Sequence, residues 1–234
     1  MREFVSCIMA TRNRGAFVRQ AIRCFLRQTY EDSELIVVDD GDEPAADLRR
    51  GASRVRYLRL EKQTPVGTKL NIGVGEARGT ILQKLDDDDY YAPDFLEKAV
   101  MGLATGEPER TVVAWGSFLV LLAGGTQLHF SGEHWAAGGT LCFHREVWRR
   151  AQFRDTPGEV DKSFLLDHHP NLLRVRAPES YLLVRHGGNT WTEWGAETVD
   201  QFFRRLPVYP KALEALIDPE SLEFYRSLRY GAGR

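Results

Sequence analysis

Residues 5–42 read VSCIMATRNRGAFVRQAIRCFLRQTYEDSELIVVDDGD, and the order of apolar and polar runs within them decides the fold. Phe4 to Ala10 is a short apolar run that stops at the polar string Thr11-Arg12-Asn13-Arg14-Gly15. From Ala16 to Gln28 the apolar residues Phe17, Ala21, Phe25 and Leu26 recur at helical spacing. Glu34 to Val38 is apolar again and ends in Asp39-Asp40-Gly41-Asp42. A strand, a helix and a second strand linked this closely predict a parallel pair, because parallel strands need a crossover and a helix supplies one.

The same alternation continues outward. A helix is expected around Ala45 to Arg50, a third strand over Val55 to Leu60, and a helix over Thr68 to Ala77 that Gly79 ends. Thr80 to Leu85 then reads as a strand running straight into Asp86-Asp87-Asp88-Asp89. The fold class is therefore α/β, with a mostly parallel central sheet flanked by helices. In open sheets of this kind ligands bind beyond the carboxyl ends of the strands, which puts residues 11–14, 39–42 and 86–89 on one rim.

Past residue 100 the pattern changes. After a helix over Asp94 to Leu103, Thr111 to Leu122 is apolar and β-rich, and Gly124-Gly125 turns the chain toward Gln127 to Phe130. Val147 to Ala151 reads as a short helix, Tyr181 to Val184 as a last strand, and Thr198 to Leu206 with Pro210 to Leu216 as a helical tail. One domain is expected over residues 1–195, divided into halves at 1–100 and 101–195, followed by a helical tail at 196–234.

Composition narrows the partners. The 234 residues, 43% of them hydrophobic, can bury one substantial core. Lys plus Arg number 31 against 33 for Asp plus Glu, with no long basic run to track a phosphate backbone, so nucleic acid is not an expected partner. The three cysteines, Cys7, Cys24 and Cys142, sit singly in apolar segments and read as reduced thiols. No segment has the roughly 20 apolar residues of a membrane span, and the first residues lack a signal peptide's apolar core and cleavage site. A soluble, cytoplasmic protein is expected.

Four adjacent carboxylates at a strand end stand about 6 to 7 Å apart or closer and repel unless a cation is present. Oxygen ligands suit magnesium or manganese, and magnesium commonly takes one or two carboxylates and completes its shell with phosphate oxygens. The competing reading is a solvated acidic turn before the helix that follows Pro93. Elsewhere, His186-Gly187-Gly188-Asn189 closes the last strand, where glycines admit a ligand close to backbone and a histidine can bind metal or phosphate. Trp135, Trp191 and Trp194 lie in glycine-rich stretches, where an aromatic face can stack on a sugar ring or acceptor or simply fill core.

The 5–42 stretch quoted above resembles family 2 of the glycosyltransferases, whose fold is the nucleotide-sugar-binding A type, down to the Gln28-Thr29-Tyr30 link and the paired aspartates. Residues 67–96, GTKLNIGVGEARGTILQKLDDDDYYAPDFL, resemble that family's helix, strand and D-x-D region. GGTLCFHREVWRRAQFRD at 138–155, with GEVDKSFLLD at 158–167, is similar to its acceptor-side half. The likeness implies an inverting transfer from a nucleotide diphosphate sugar, a UDP-sugar favoured, with Mn2+ or Mg2+ on the leaving diphosphate. The acceptor, whether saccharide, lipid-linked glycan or small molecule, is left open, as is a homodimer.

Carried over by position, the resemblance implies that Asp40, with Asp39 beside it, reads the base, while Ala10 and Thr11 line its pocket. Asp88 aligns with the metal ligand and Asp86 or Asp87 with the carboxylate facing ribose and diphosphate; a register shift of one makes Asp86 a metal candidate too. Lys69 either neutralises diphosphate charge or is solvated surface. His186 is a candidate protein ligand to the same metal, with Asn189 nearby. Asp161 matches the general base, with Glu159 second and a helix N-cap before Lys162 to Leu166 as the alternative use of Asp161. The family often has Glu-Asp here, where this chain has Val160-Asp161. Trp135, Glu159 and Trp191 are assigned to the acceptor side.

Two other readings stay open. A nucleotidyltransferase would use a similar acidic site but needs a glycine-rich basic loop after its first strand, of which Arg12-Asn13-Arg14-Gly15 is a poor version. A non-catalytic nucleotide- or sugar-binding module would use Asp161 only as a cap.

Overall fold

A computed structural model describes residues 2–43 and 53–229; the helix expected at Ala45 to Arg50 lies outside the described residues. In chain order the elements are β1 Val5–Thr11, α1 Gly15–Leu26, β2 Ser33–Asp39, β3 Val55–Arg59, α2 Val66–Glu76, β4 Ile81–Leu85, β5 Tyr90–Tyr91 and α3 Phe95–Leu103. Then come β6 Thr111–Trp115, β7 Leu119–Leu122, β8 Leu128–Phe130, β9 Cys142–His144, α4 Arg145–Arg150, α5 Val160–His168, β10 Asn171–Val175 and β11 Tyr181–Arg185. β12 Glu193–Trp194, β13 Glu197–Thr198, α6 Val199–Arg204 and α7 Pro219–Ser227 complete the chain.

A seven-stranded sheet in the order β10-β6-β9-β4-β1-β2-β3 forms the centre, and every neighbouring pair in it is parallel except those made by β9. Alternation along β1 sends Val5, Cys7 and Met9 to one face, where Val18, Ala21, Ile22 and Phe25 of α1 and Phe95, Leu96 and Ala99 of α3 cover them. Ile8 faces the other way, against Leu70 and Val74 of α2, with Phe164 of α5 in the same cluster. Helices thus bury both faces, which is why the central strands are apolar at almost every position. All three cysteines are buried and unbonded, small hydrophobes within this packing.

Register places the rim. Thr11 pairs with Asp39 and Met9 with Leu85, so β1, β2 and β4 end together and their polar extensions share one edge. That much agrees with the alternation read from the sequence. The apolar stretch 111–122 does not stay whole: β6 joins the central sheet, while β7 enters a second, four-stranded sheet in the order β5-β11-β7-β8. The break is at Gly116, where a Cβ would lie 2.8 Å from Cβ of Arg174 on the neighbouring β10.

The tail also departs from expectation. α6 forms, closed by a capping box in which Thr198 and Gln201 bond reciprocally. Residues 210–216 give only a 3-10 turn at Leu213–Ala215, and the second helix lies later, at α7. Asp218 caps it by accepting from the Ser221 N–H and Pro219 occupies its first turn, a start signal stronger than the apolar spacing upstream. α7 docks on α1, where Gln20 donates to Ser221 Oγ at 2.7 Å and Arg27 pairs with Asp218 at 2.6 Å. Among the described residues no helix is long and apolar enough to cross a membrane.

Candidate active site

The ends of β1, β2 and β4 are joined by one run of polar contacts. Lys69, from α2, donates to Asp40 Oδ1 at 2.7 Å and to the Thr11 carbonyl at 2.9 Å, and the Thr11 hydroxyl donates to Asp87 Oδ2 at 2.6 Å. Arg14 then bridges Asp87 Oδ1 and Asp88 Oδ2, each at 2.9 Å, and also donates to the Gly188 carbonyl. Lys69 is buried rather than solvated surface, with 4% of its side chain exposed. Burial would raise the Asp40 carboxyl, but the bonds from Lys69 and the Thr64 N–H outweigh it and hold Asp40 below the usual carboxylate range. Asp39 beside it accepts from the Gly41 N–H at 2.7 Å and from the Tyr57 hydroxyl.

Asp88 is the focus of the acidic run. Besides Arg14, its Oδ2 accepts from Asn189 Nδ2 at 3.1 Å and lies 3.0 Å from His186 Nε2. Burial again opposes charge, yet the His186 bond and the Arg14 guanidinium keep Asp88 below its ordinary value. Its neighbours go the other way. Burial pushes Asp87 up to about 6 against the pull of Arg14, with the Asp88 charge adding to the rise. Asp89 is raised as well, by burial and then by Asp88 and Asp86, and Tyr181 donates to its Oδ2 at 2.5 Å. Like charges at this spacing cannot all ionise freely, so Asp87 to Asp89 separate into one readily ionised carboxylate, Asp88, and a reluctant one on either side of it.

The tail reaches this place from behind. Tyr225 of α7 donates to the Asp89 carbonyl at 3.0 Å, and Phe224 meets Phe17 edge-on, with ring centroids 5.6 Å apart. Phe17 in turn lies 4.5 Å, centroid to centroid, from the His186 ring.

Asp86 stands apart from the Asp88 and His186 pair. Its Oδ1 accepts from Lys84 Nζ at 2.7 Å, and the same ammonium reaches Asp161 Oδ2 at 3.2 Å. Asp161 is not a helix cap: the N-cap position of α5 is Glu159, and Asp161 sits in the first turn with its carboxylate turned to Lys84. Burial, with Asp86 adding to it and Lys84 opposing it, pushes Asp161 up to about 6. Glu159, the second choice for a base, is exposed and pairs with Lys162 at 2.7 Å. Ala10 flanks the donor rim and packs partly into the core. Trp135 and Trp191 lie 6.4 Å apart in an aromatic cluster with Phe202 and Phe203.

Three contributors escaped the sequence reading. The sequence places Arg14 on the rim and in a poor phosphate loop, and Lys84 and Tyr181 in strands, without assigning any of the three a contact in the site. The one local signal is Lys84 itself, a charge next to Gln83 in a strand whose other three residues are apolar.

Asp88 and His186 fit a divalent cation in type, an oxygen and an imidazole nitrogen within contact of each other. Among the described residues no three His, Cys, Asp or Glu side chains form a group able to hold a metal. The set suits a cation completed by phosphate oxygens rather than one caged by protein.

The central sheet with β9 inserted antiparallel and an acidic rim at its strand ends is the A-type glycosyltransferase architecture. Two solved structures share it: the mannosyltransferase PcManGT from Pyrobaculum calidifontis in complex with GDP-Man and Mn2+ (TM-score 0.60, 18% identity, 83% of this chain and 59% of that one), and S. aureus TarS 1–349 in complex with UDP-GlcNAc (TM-score 0.64, 16% identity, 80% and 60%). Residues 6–140, more than half of the chain, match Glycosyl transferase family 2, and the chain belongs to that family. Among curated relatives, the GalNAc(5)-diNAcBac-PP-undecaprenol beta-1,3-glucosyltransferase of Campylobacter jejuni is 30% identical over 136 residues, which cover 55% of this chain and 42% of that protein. An uncharacterized glycosyltransferase of Rickettsia felis is 31% identical over 120 residues, 50% of this chain and 20% of the relative. The match thus covers less than half the length of either relative.

Proposed function

We propose that this chain transfers a sugar, with inversion, from a nucleotide diphosphate donor to an acceptor hydroxyl. Asp39 and Asp40 read the base at the end of β2, with Ala10 and Thr11 beneath it, and Lys69 keeps Asp40 charged and still. Asp88 and His186 would hold a magnesium or manganese ion, which when bound would draw charge off the leaving diphosphate. Arg14 keeps Asp87 and Asp88 facing one another. Asp161 takes the proton of the attacking hydroxyl. A carboxyl pushed up to about 6 is still ionised at neutral pH yet basic enough for that task. A UDP-sugar is the favoured donor.

One observation carries this reading: the base-reading and cation-binding candidates share one rim, joined by the contacts from Asp40 to His186, and Lys84 ties the proton-accepting candidate Asp161 to Asp86 beside it. Thermal unfolding with UDP or GDP, with and without manganese, tests it. A nucleotide at 100 times its Kd adds about 2.7 kcal/mol of stability; that gain should require manganese and vanish in Asp88→Ala. Metal-independent stabilisation, or none, removes the proposed cation. Pyrophosphate release from a nucleoside triphosphate would favour nucleotidyl transfer instead.

A further inference from the structure

Lys84 contradicts its local surroundings. All five residues of β4 are buried, and the Lys84 side chain is 5% exposed. An ammonium survives such a place only where carboxylates meet it. Here two do, and they come from different halves of the chain: Asp86 from the donor rim and Asp161 from α5. The Gly138 carbonyl accepts from the same Nζ at 3.3 Å.

The backbone between the two carboxylates is shaped around this contact. A Cβ at Gly138 would fall 2.3 Å from Asp161 Oδ2, and one at Gly139 would fall 2.7 Å from Asp86 Oδ2 and 2.9 Å from the Tyr181 hydroxyl. Only a pair of glycines lets the turn pass there. With Oδ2 of Asp161 bound to the ammonium, its Oδ1 takes no hydrogen bond and has no solvent contact. The rest of the side chain stays partly open, with 30% of it exposed.

We propose that Lys84 is a positioning residue, fixing the Asp161 carboxylate against the donor-side Asp86 in the orientation in which it meets the attacking hydroxyl. The role rests on the reading of Asp161 as the base. In the step it serves, the acceptor oxygen bonds to the anomeric carbon as the bond from that carbon to the diphosphate oxygen breaks. The electron pair of that bond leaves with the diphosphate, and the hydroxyl proton passes to Asp161.

The test is a double-mutant cycle on donor hydrolysis, with water as the acceptor. Release of UDP from UDP-GlcNAc and of GDP from GDP-mannose is measured in manganese for the parent chain, Lys84→Met, Asp161→Asn and the double variant, with nucleotide affinity and unfolding temperature for each. A base misplaced by about an ångström costs about 10- to 100-fold in turnover, so Lys84→Met should lose that much while still binding nucleotide. In the Asp161→Asn background the same change should cost less than about twofold, because the two residues act as one unit. Lys84→Arg, which keeps the charge, should recover most of the loss. Equal losses in both backgrounds, or an Arg variant that folds and binds nucleotide yet stays at the Met level, overturn the positioning role. A parent-like rate for Asp161→Asn, or no release from either donor by the parent chain, overturns the base assignment instead. If Lys84→Met does not fold, Lys84→Gln takes its place in the cycle.

Discussion

Along the donor rim, carboxylates from the ends of β2 and β4 are joined through Lys69, Thr11 and Arg14 in an unbroken chain of contacts; around Asp161, one lysine and two glycines hold the whole arrangement. The rim is redundant. Asp88 alone is met by Arg14, His186 and Asn189, and Asp40 by Lys69 and the Thr64 N–H. The base pocket has no such reserve, since Lys84 is the cation that meets Asp161 and Asp86 alike. On the proposed roles, a site that binds a charged donor tolerates shared support, whereas a group that meets one proton depends on a single geometry.

The sharpest way to break this contrast is Asp161→Asn. A positioned general base contributes about 10²- to 10⁴-fold, so hydrolysis of the donor should fall by that factor while nucleotide binding holds. The parent's pH profile carries the same information: the base must be unprotonated, so kcat/KM should fall tenfold per unit as pH drops below about 6, the value to which burial pushes Asp161. A profile flat through that range would move the base elsewhere.

Lys69→Met probes the rim. It strands the Asp40 charge, whose side chain is fully buried, and removing one partner of a buried pair costs about 3 kcal/mol or more. Urea unfolding should show that loss. The Asp87, Arg14 and Asp88 contacts do not involve Lys69, so manganese-dependent nucleotide stabilisation should fall less than it does in Asp88→Ala. The smallest effect is expected at Glu159→Gln, an exposed residue on a surface ion pair, where stability should move by no more than about 0.5 kcal/mol and turnover should not change. A large loss of turnover there would return Glu159 to contention as the base.

The two regions were also unequally legible. The rim could be read because its polar clusters each follow an apolar strand, and strand direction then brings Thr11, Asp40 and the aspartate run together without knowledge of any side-chain contact. The loop and the family likeness also bring His186 to the aspartate run, where it lies against Asp88. What could not be read is pairing across the fold. Nothing local says that Lys84 meets Asp161, 77 residues away, or which oxygen of the aspartate run meets Arg14. A three-residue strand such as β9 is too short to announce its direction, and antiparallel insertion beside β4 is settled by what packs around Phe143, not by its own sequence. The tail failed for a related reason: α7 is marked by Asp218 and Pro219, punctuation that apolar spacing overlooks.

The contacts of α7 with the Asp89 carbonyl and, through Phe17, with the His186 ring have a practical corollary for anyone handling the molecule. Variants that remove α7, or fusions that crowd it, should be treated as alterations to the proposed site rather than as cosmetic edits. Activity comparisons between differently trimmed preparations would otherwise mistake a loosened backstop for a difference in chemistry.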